Sequence, residues 1–212
     1  MSDAYTTVQG TDEWQQARCG LITASRIADV IAKTKSGYSA SRKNYLAELL
    51  VERVTGEPTE HFTTREMQRG TELEPEAREV YEKALDVSVQ ECGFIIHPEM
   101  HFTGASPDGL VNLDGGVEIK CPNTAQHIST LRGSGIPHRY YAQIQWNIEC
   151  SGREWWDYVS YDPRMKDSRL IMYVERIDRD DEFIQSVRKE VSEAETELQE
   201  MVADIMRIAE GR

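Results

Sequence analysis

The sequence predicts an α/β fold, a central mixed β-sheet flanked by helices, on three observations. Apolar residues recur at helical spacing up to about residue 84. Between residues 87 and 119 the period drops to two, and beyond 124 helical spacing returns around two more strand-like runs. Helices, then a sheet, then helices again is the pattern of a layered α/β domain. The 212 residues show no internal repeat, low-complexity tract or long linker, so 1–212 is read as a single domain.

The elements follow in order. Residues 12–18 read as a short helix opening on Asp12, and Thr23 or Ser25 offers an N-cap for a second helix through about Ala32. Tyr45, Leu46, Leu49, Leu50 and Val54 define a helix over 41–55 that Gly56 stops. A helix over 65–84 is expected to turn Met67, Leu73, Ala77, Val80, Tyr81 and Ala84 inward. Short strands are expected around Val87–Val89, Gly93–Ile96, Phe102, Leu110–Leu113 and Val117–Ile119. Turn signals separate them at His97-Pro98, Pro107-Asp108-Gly109 and Asp114-Gly115-Gly116. Helices over 124–132 and 138–150, strands over Trp155–Tyr161 and Leu170–Arg176, and a long amphipathic helix over 180–209 complete the chain. One of Trp155 and Trp156 is expected in the core, leaving the other for a contact between subunits.

Composition narrows the function classes. A hydrophobic content of 39% suffices for a core at this length and excludes wholesale disorder. There is no apolar run of about 18 residues, so no membrane partner is expected. The opening Met-Ser-Asp-Ala-Tyr-Thr-Thr lacks the pattern of a signal peptide, and a cytoplasmic location is expected. Cys19, Cys92, Cys121 and Cys150 have no metal-ligand spacing and read as reduced thiols. His61, His97, His101, His127 and His138 likewise form no ligand set.

The net charge of -13 alone argues against nucleic acid, whose phosphates need Lys and Arg. Yet Arg18, Arg26, Lys33, Lys35, Arg42 and Lys43 face only Asp29 between residues 18 and 43. From Asp180 to Glu210 ten acids face only Arg188, Lys189 and Arg207. The asymmetry permits a basic binding face beside an acidic, solvated terminal helix.

The chemistry lies in Ser106-Pro107-Asp108-Gly109-Leu110 followed by Val117-Glu118-Ile119-Lys120-Cys121. Asp108 enters one strand. Glu118 and Lys120, two apart on the next, share a face. Two carboxylates suit Mg²⁺, and a Lys of lowered pKa can position or deprotonate a water. Metal plus base is equipment for phosphodiester hydrolysis.

The segment resembles the PD-(D/E)xK nuclease signature, with Pro-Asp literally present. Around it, five ordered blocks resemble the phage lambda exonuclease (YqaJ-like viral recombinase) family. They are Trp14 to Ser25, Arg69 to Arg78, the Asp108 to Pro122 segment, Tyr140 to Gln145, and Tyr161 to Lys166. The stretch from about Ala32 to Phe62 and the last thirty residues match poorly.

The resemblance implies a Mg²⁺-dependent 5′→3′ exonuclease on double-stranded DNA ends, with Mn²⁺ able to substitute. It further implies a homotrimeric ring and a single-strand annealing protein as partner. Glu74, Asp108, Glu118 and the carbonyl of Ile119 would hold metal, and Lys120 would activate water with support from Gln143. Arg18, Thr23 and Ser25 would form a 5′-phosphate pocket, with Met67 as a base-pair wedge and Arg65 beside it. Arg69 stands where that family would place an aromatic before Gly70.

Other readings of these residues remain at this point. Arg18 pairs with Asp12 or Glu13, Glu74 belongs to a solvated helix face, or Met67 fills the core. For the whole chain the alternatives are an endonuclease on the same fold and a degenerate, non-catalytic DNA-binding module.

Overall fold

The computed structural model describes residues 7–59 and 64–211; His61 and the opening residues 1–6 read above lie outside them. Among these described residues seven helices and ten strands run in the order α1 (Asp12–Arg18), β1 (Ile22–Thr23), α2 (Ile27–Val30), β2 (Lys33–Thr34), β3 (Gly37–Tyr38), α3 (Ala40–Thr55), α4 (Arg65–Leu85), β4 (Val89–Gln90), β5 (Ile95–Ile96), β6 (Thr103–Ala105), β7 (Gly109–Val111), β8 (Gly115–Lys120), α5 (Thr124–Leu131), α6 (His138–Ser151), β9 (Trp155–Tyr161), β10 (Met172–Asp178) and α7 (Asp181–Glu210). A 3-10 turn, Ala24–Arg26, precedes α2.

The strands divide into a five-stranded mixed sheet of order β10-β9-β8-β7-β4, a three-stranded sheet β1-β6-β5 and the β2-β3 hairpin, where the sequence suggested one sheet. In the main sheet β8 and β9 are parallel, joined by a crossover through α5 and α6, and the other pairs are antiparallel.

The pleat of β8 decides what each layer holds. Val117 and Ile119 pack with Ala77 and Tyr81 of α4, together with Val111, Val159 and Tyr161. The alternate residues, Glu118 among them, turn to the α6 side, where α6 joins α2, α3 and α7 in the larger core. The two polar residues of β8 thus share the α6 face.

Several local expectations shift. Thr11, not Asp12, caps α1, its hydroxyl accepting from the Trp14 N–H at 3.3 Å. Neither Thr23 nor Ser25 caps α2 through its side chain, and α2 is a single turn. Ala77 and Tyr81 are buried on α4 as expected, but Met67 is 56% exposed and Ala84 is exposed. The run before β10 is a 3-10 turn at Ser168–Leu170, with the strand starting at Met172.

The glycines expected to make the β7–β8 turn lie inside β8 instead. A Cβ on Gly115 would stand 2.0 Å from the Trp155 ring, and one on Gly116 2.3 Å from the Trp156 ring. The tryptophans cover these glycines across the β8–β9 ladder. The turn itself is made by Asn112 at φ 51° with Leu113 and Asp114.

The charge asymmetry also resolves differently. Lys33 pairs with Glu190 at 2.5 Å, Arg42 with Glu197 at 3.3 Å and Arg53 with Glu195 at 2.6 Å. Acids of α7 therefore engage two of the six basic residues of that segment, Lys33 and Arg42, besides Arg53 beyond it, and α7 is a docked helix as much as a solvated one. No helix among the described residues is long and apolar enough to cross a membrane.

Candidate active site

The β7–β8 pair places Asp108 immediately before β7, where its Oδ2 accepts from the Ile119 N–H at 2.7 Å. Glu118 is fully buried. Its Oε1 accepts from Gln143 Nε2 at 2.7 Å and its Oε2 from Asn147 Nδ2 at 2.9 Å. The Lys120 ammonium pairs with the same Oε1 and lies 5.3 Å from the centre of the Tyr140 ring. Gln143 therefore acts on Glu118, not directly on Lys120.

Burial, then the charge of Asp108, pushes the Glu118 carboxyl up to about 7, with Lys120 partly offsetting both. Burial alone would lower Lys120, but Glu118 and Asp108 outweigh it and hold the amine above its ordinary value. A dication held by those carboxylates would offset that pull and free the lysine to act as the expected base; without one it is favoured as the ammonium. Its hydrogen-bond donors can then hold a water or a phosphate oxygen.

Glu74 comes from α4, the other layer. Arg78 Nη2 donates to it at 2.9 Å, while burial and then Asp108 raise its pKa. Among the described residues no three His, Cys, Asp or Glu side chains form a ready metal cage. The groups nonetheless fit a hard cation. They are oxygen donors, and the charge of Asp108 raises both Glu74 and Glu118, a repulsion that a dication relieves.

Beside this cluster lies a cavity of about 720 Å³, lined by Trp14, Arg18, Thr23, Ser25 and Met67 among others. The Arg18 guanidinium sits over the Trp14 ring at 4.3 Å, and no carboxylate among the described residues is within ion-pair distance of it. Burial pulls its pKa below the ordinary value. The cavity's own acids are engaged: Glu48 by Arg26 at 3.1 Å, and Glu52 by the N–H groups of Gly20 and Thr59. Thr23 Oγ1 lies 3.3 Å from Ser25 Oγ. Arg65 is exposed at the start of α4 and is not among the residues lining the cavity. With α2 only one turn long, an anion entering here would meet side chains and not a helix dipole.

Three contributors escaped the sequence reading. Asn147 follows Gln143 by four residues on α6, a spacing that places both on one face and was there to be read. Trp14 Nε1 donates to Ser106 Oγ at 3.0 Å and Gln9 to the Pro107 carbonyl at 2.7 Å, tying the cavity wall to the loop before Asp108. These ties span over ninety residues, and no local pattern announces them.

Residues 13–154 match the model of the YqaJ-like viral recombinase domain. An alkaline exonuclease, LHK-Exo, from Laribacter hongkongensis is similar at 44% identity, with 95% of this chain and 99% of that chain covered and a TM-score of 0.88. A structure of LHK-Exo in complex with dAMP is similar at the same identity and coverage, with a TM-score of 0.89. A phage related exonuclease from Haemophilus somnus 129PT shares the fold, at 15% identity, a TM-score of 0.66 and coverage of 87% of this chain and 96% of that chain. No curated protein sequence matches the chain. The family model and the near-full-length likeness agree with the carboxylate–lysine cluster: this chain is a nuclease, and it belongs to the YqaJ-like viral recombinase domain family.

Proposed function

We propose that this DNA exonuclease of the recombination class is Mg²⁺-dependent and degrades one strand of linear duplex 5′→3′. In this reading it prefers 5′-phosphorylated ends and leaves a 3′ single strand for annealing. One observation carries the proposal. The Asp108–Glu118–Lys120 cluster is tied through Ser106 and Trp14 to a cavity holding a partly buried Arg18 that has no carboxylate partner among the described residues.

Asp108, Glu118, Glu74 and the Ile119 carbonyl would hold the metal, and Mn²⁺, with the same taste for oxygen, would substitute. When bound, the ion supplies charge stabilisation at phosphorus and a more acidic water. The protein's own groups do the rest. Gln143 fixes Glu118, and Lys120 holds the attacking water and activates it once a cation offsets the charge of the neighbouring carboxylates. Arg18 with Thr23 and Ser25 takes the 5′-phosphate through charge-assisted hydrogen bonds. Exposed Met67 at the cavity rim suits a wedge against the terminal base pair, with Arg65 beside it on the DNA backbone. A homotrimeric ring around the duplex, an annealing protein taking the product strand, and action in the cytoplasm of a phage-bearing bacterium complete the proposal.

The test uses linear duplex labelled at 5′ or 3′ ends, phosphorylated or not, beside covalently closed plasmid, with wild type and Arg18→Ala at one fixed salt concentration. Wild type is expected to release 5′ label first, to leave the plasmid intact and to require Mg²⁺. Arg18→Ala should lose about ten- to a hundred-fold, or about 1.5–3 kcal/mol, on phosphorylated ends and little on 5′-hydroxyl ends. Equal losses on both ends would remove the phosphate pocket. A cut plasmid would favour the endonuclease.

A further inference from the structure

Asn147 is fully buried on α6 and makes one side-chain hydrogen bond, from Nδ2 to Glu118 Oε2 at 2.9 Å. Its Oδ1, also buried, has no hydrogen-bond partner among the described residues. An orphaned buried carbonyl oxygen works against folding, a cost that a leucine, branched in the same way though larger, would not carry. That oxygen contributes nothing to the fold, so the amide's single contact, on Nδ2, indicates what it does. Gln143, one turn earlier on the same helix face, holds the other oxygen of the same carboxylate at 2.7 Å. Two amides on one rigid helix fix the plane of the Glu118 carboxylate, a torsion that is otherwise broad and soft.

We propose that Asn147 is a positioning residue for the divalent ion, acting through Glu118; the proposal rests on the reading of Asp108 and Glu118 as metal ligands. With Asn147 removed, Oε2 loses its donor and the carboxylate rotates about its last torsion toward the Lys120 ammonium. The ion then meets a misdirected ligand. Partners that orient metal ligands from behind change metal affinity by about 10- to 100-fold when removed, and that is the size expected here.

The experiment compares the full-length wild type with Asn147→Leu, Asn147→Ala and Glu118→Ala. Mn²⁺ alone is titrated calorimetrically into each protein without DNA, and each is melted without metal. Asn147→Leu should stay folded, at a somewhat lower melting point because Glu118 Oε2 has lost its donor, and bind Mn²⁺ about 10- to 100-fold more weakly. The Mg²⁺ concentration for half-maximal cleavage should rise by the same factor, with excess Mg²⁺ recovering most of the rate. A merely structural role would lower the rate at every Mg²⁺ concentration and leave the midpoint in place; wild-type Mn²⁺ affinity or an unmoved midpoint overturns the proposal. Should the leucine variant not fold, the alanine variant is read by the same shift. Glu118→Ala separates the two levels: wild-type Mn²⁺ binding by that variant would mean that the metal-site reading is wrong, whatever Asn147 does.

Discussion

At the scale of single residues, Asp108 and Glu118 differ in what surrounds them, although both are carboxylates of one site. Asp108 makes one hydrogen bond, to the Ile119 N–H, and its charge raises both Glu118 and Glu74. Glu118 instead anchors Lys120, Gln143 and Asn147 together. Removing the first relieves repulsion, whereas removing the second strands a cation and two amides. Asp108→Asn and Glu118→Ala are both expected to abolish Mg²⁺-dependent cleavage. Their stabilities without metal should diverge. Asp108→Asn should melt at or above wild type. Glu118→Ala should lose about 3 kcal/mol, the low end for a broken buried pair because Lys120 still reaches solvent. Urea unfolding in chelator checks this, and an Asp108 variant less stable than the Glu118 variant would reverse the assignment of strain.

At the scale of elements, the β8–β9 ladder depends on two glycines that carry tryptophan rings in place of their own side chains. Gly116→Ala would put a methyl 2.3 Å from the Trp156 ring, which is fully buried and cannot retreat. Overpacking of this kind costs about 3 kcal/mol or more, and Trp156→Leu in the same chain should return part of it. Urea midpoints of the two single variants and the double variant test the coupling; strictly additive losses would show that the ring is not what Gly116 accommodates. The same ladder shows what the sequence could convey. Period-two spacing placed Glu118 and Lys120 on one face, and helical spacing bounded α3, α4 and α7 within a residue or two, because pattern and fold share a period there. A Gly-Gly pair, however, signals a turn and a close ring approach equally well, and only the partner strand decides. The acids of α7 were legible as a charge run, but not their pairing with Lys33, Arg42 and Arg53, which lie over 140 residues away. The upward pull on Lys120 comes first from Glu118, two residues away and legible, and then from Asp108, whose approach was hidden for the same reason. The candidate site was thus legible as a set of residues and illegible as a set of charges.

For the whole molecule, one buried polar cluster joins the loop after β5 to α6 and α7. Glu149 on α6 receives Arg179 at 2.5 Å and also Arg188 of α7, which reaches Glu99 of the loop at 2.5 Å. His97 lies between, with Nε2 3.4 Å from Glu149 and its ring 5.6 Å from that of Trp146. Its Nδ1 accepts from the N–H groups of Glu99 and Met100 at 3.1 and 3.0 Å, so the neutral imidazole is the form the loop uses. Burial lowers the His97 pKa, Arg188 adds to that, and Glu149 and Glu99 oppose it. For Glu149, burial acts upward, but the bonds from Arg179 and Arg188 outweigh it and hold the carboxyl below its ordinary value. The two signs point the same way. A lowered histidine means that the unfolded chain binds the proton first, so stability present above about pH 6.5 is lost as the pH falls below it. A lowered carboxyl keeps its contribution above about pH 4.5 and loses it as the pH falls through the folded value. Acid should therefore loosen the junction of loop, α6 and α7 in two stages, the histidine first. His97→Asn tests the first stage, because an asparagine Oδ1 can accept from the same two N–H groups as a turn while carrying no titratable proton. Urea midpoints measured from pH 7.5 to 5 should fall for wild type, and the variant should lose the part of that slope between about 6.5 and 5 while starting from a lower stability. A slope that survives unchanged in His97→Asn would assign the acid sensitivity to other groups and leave His97 as packing alone.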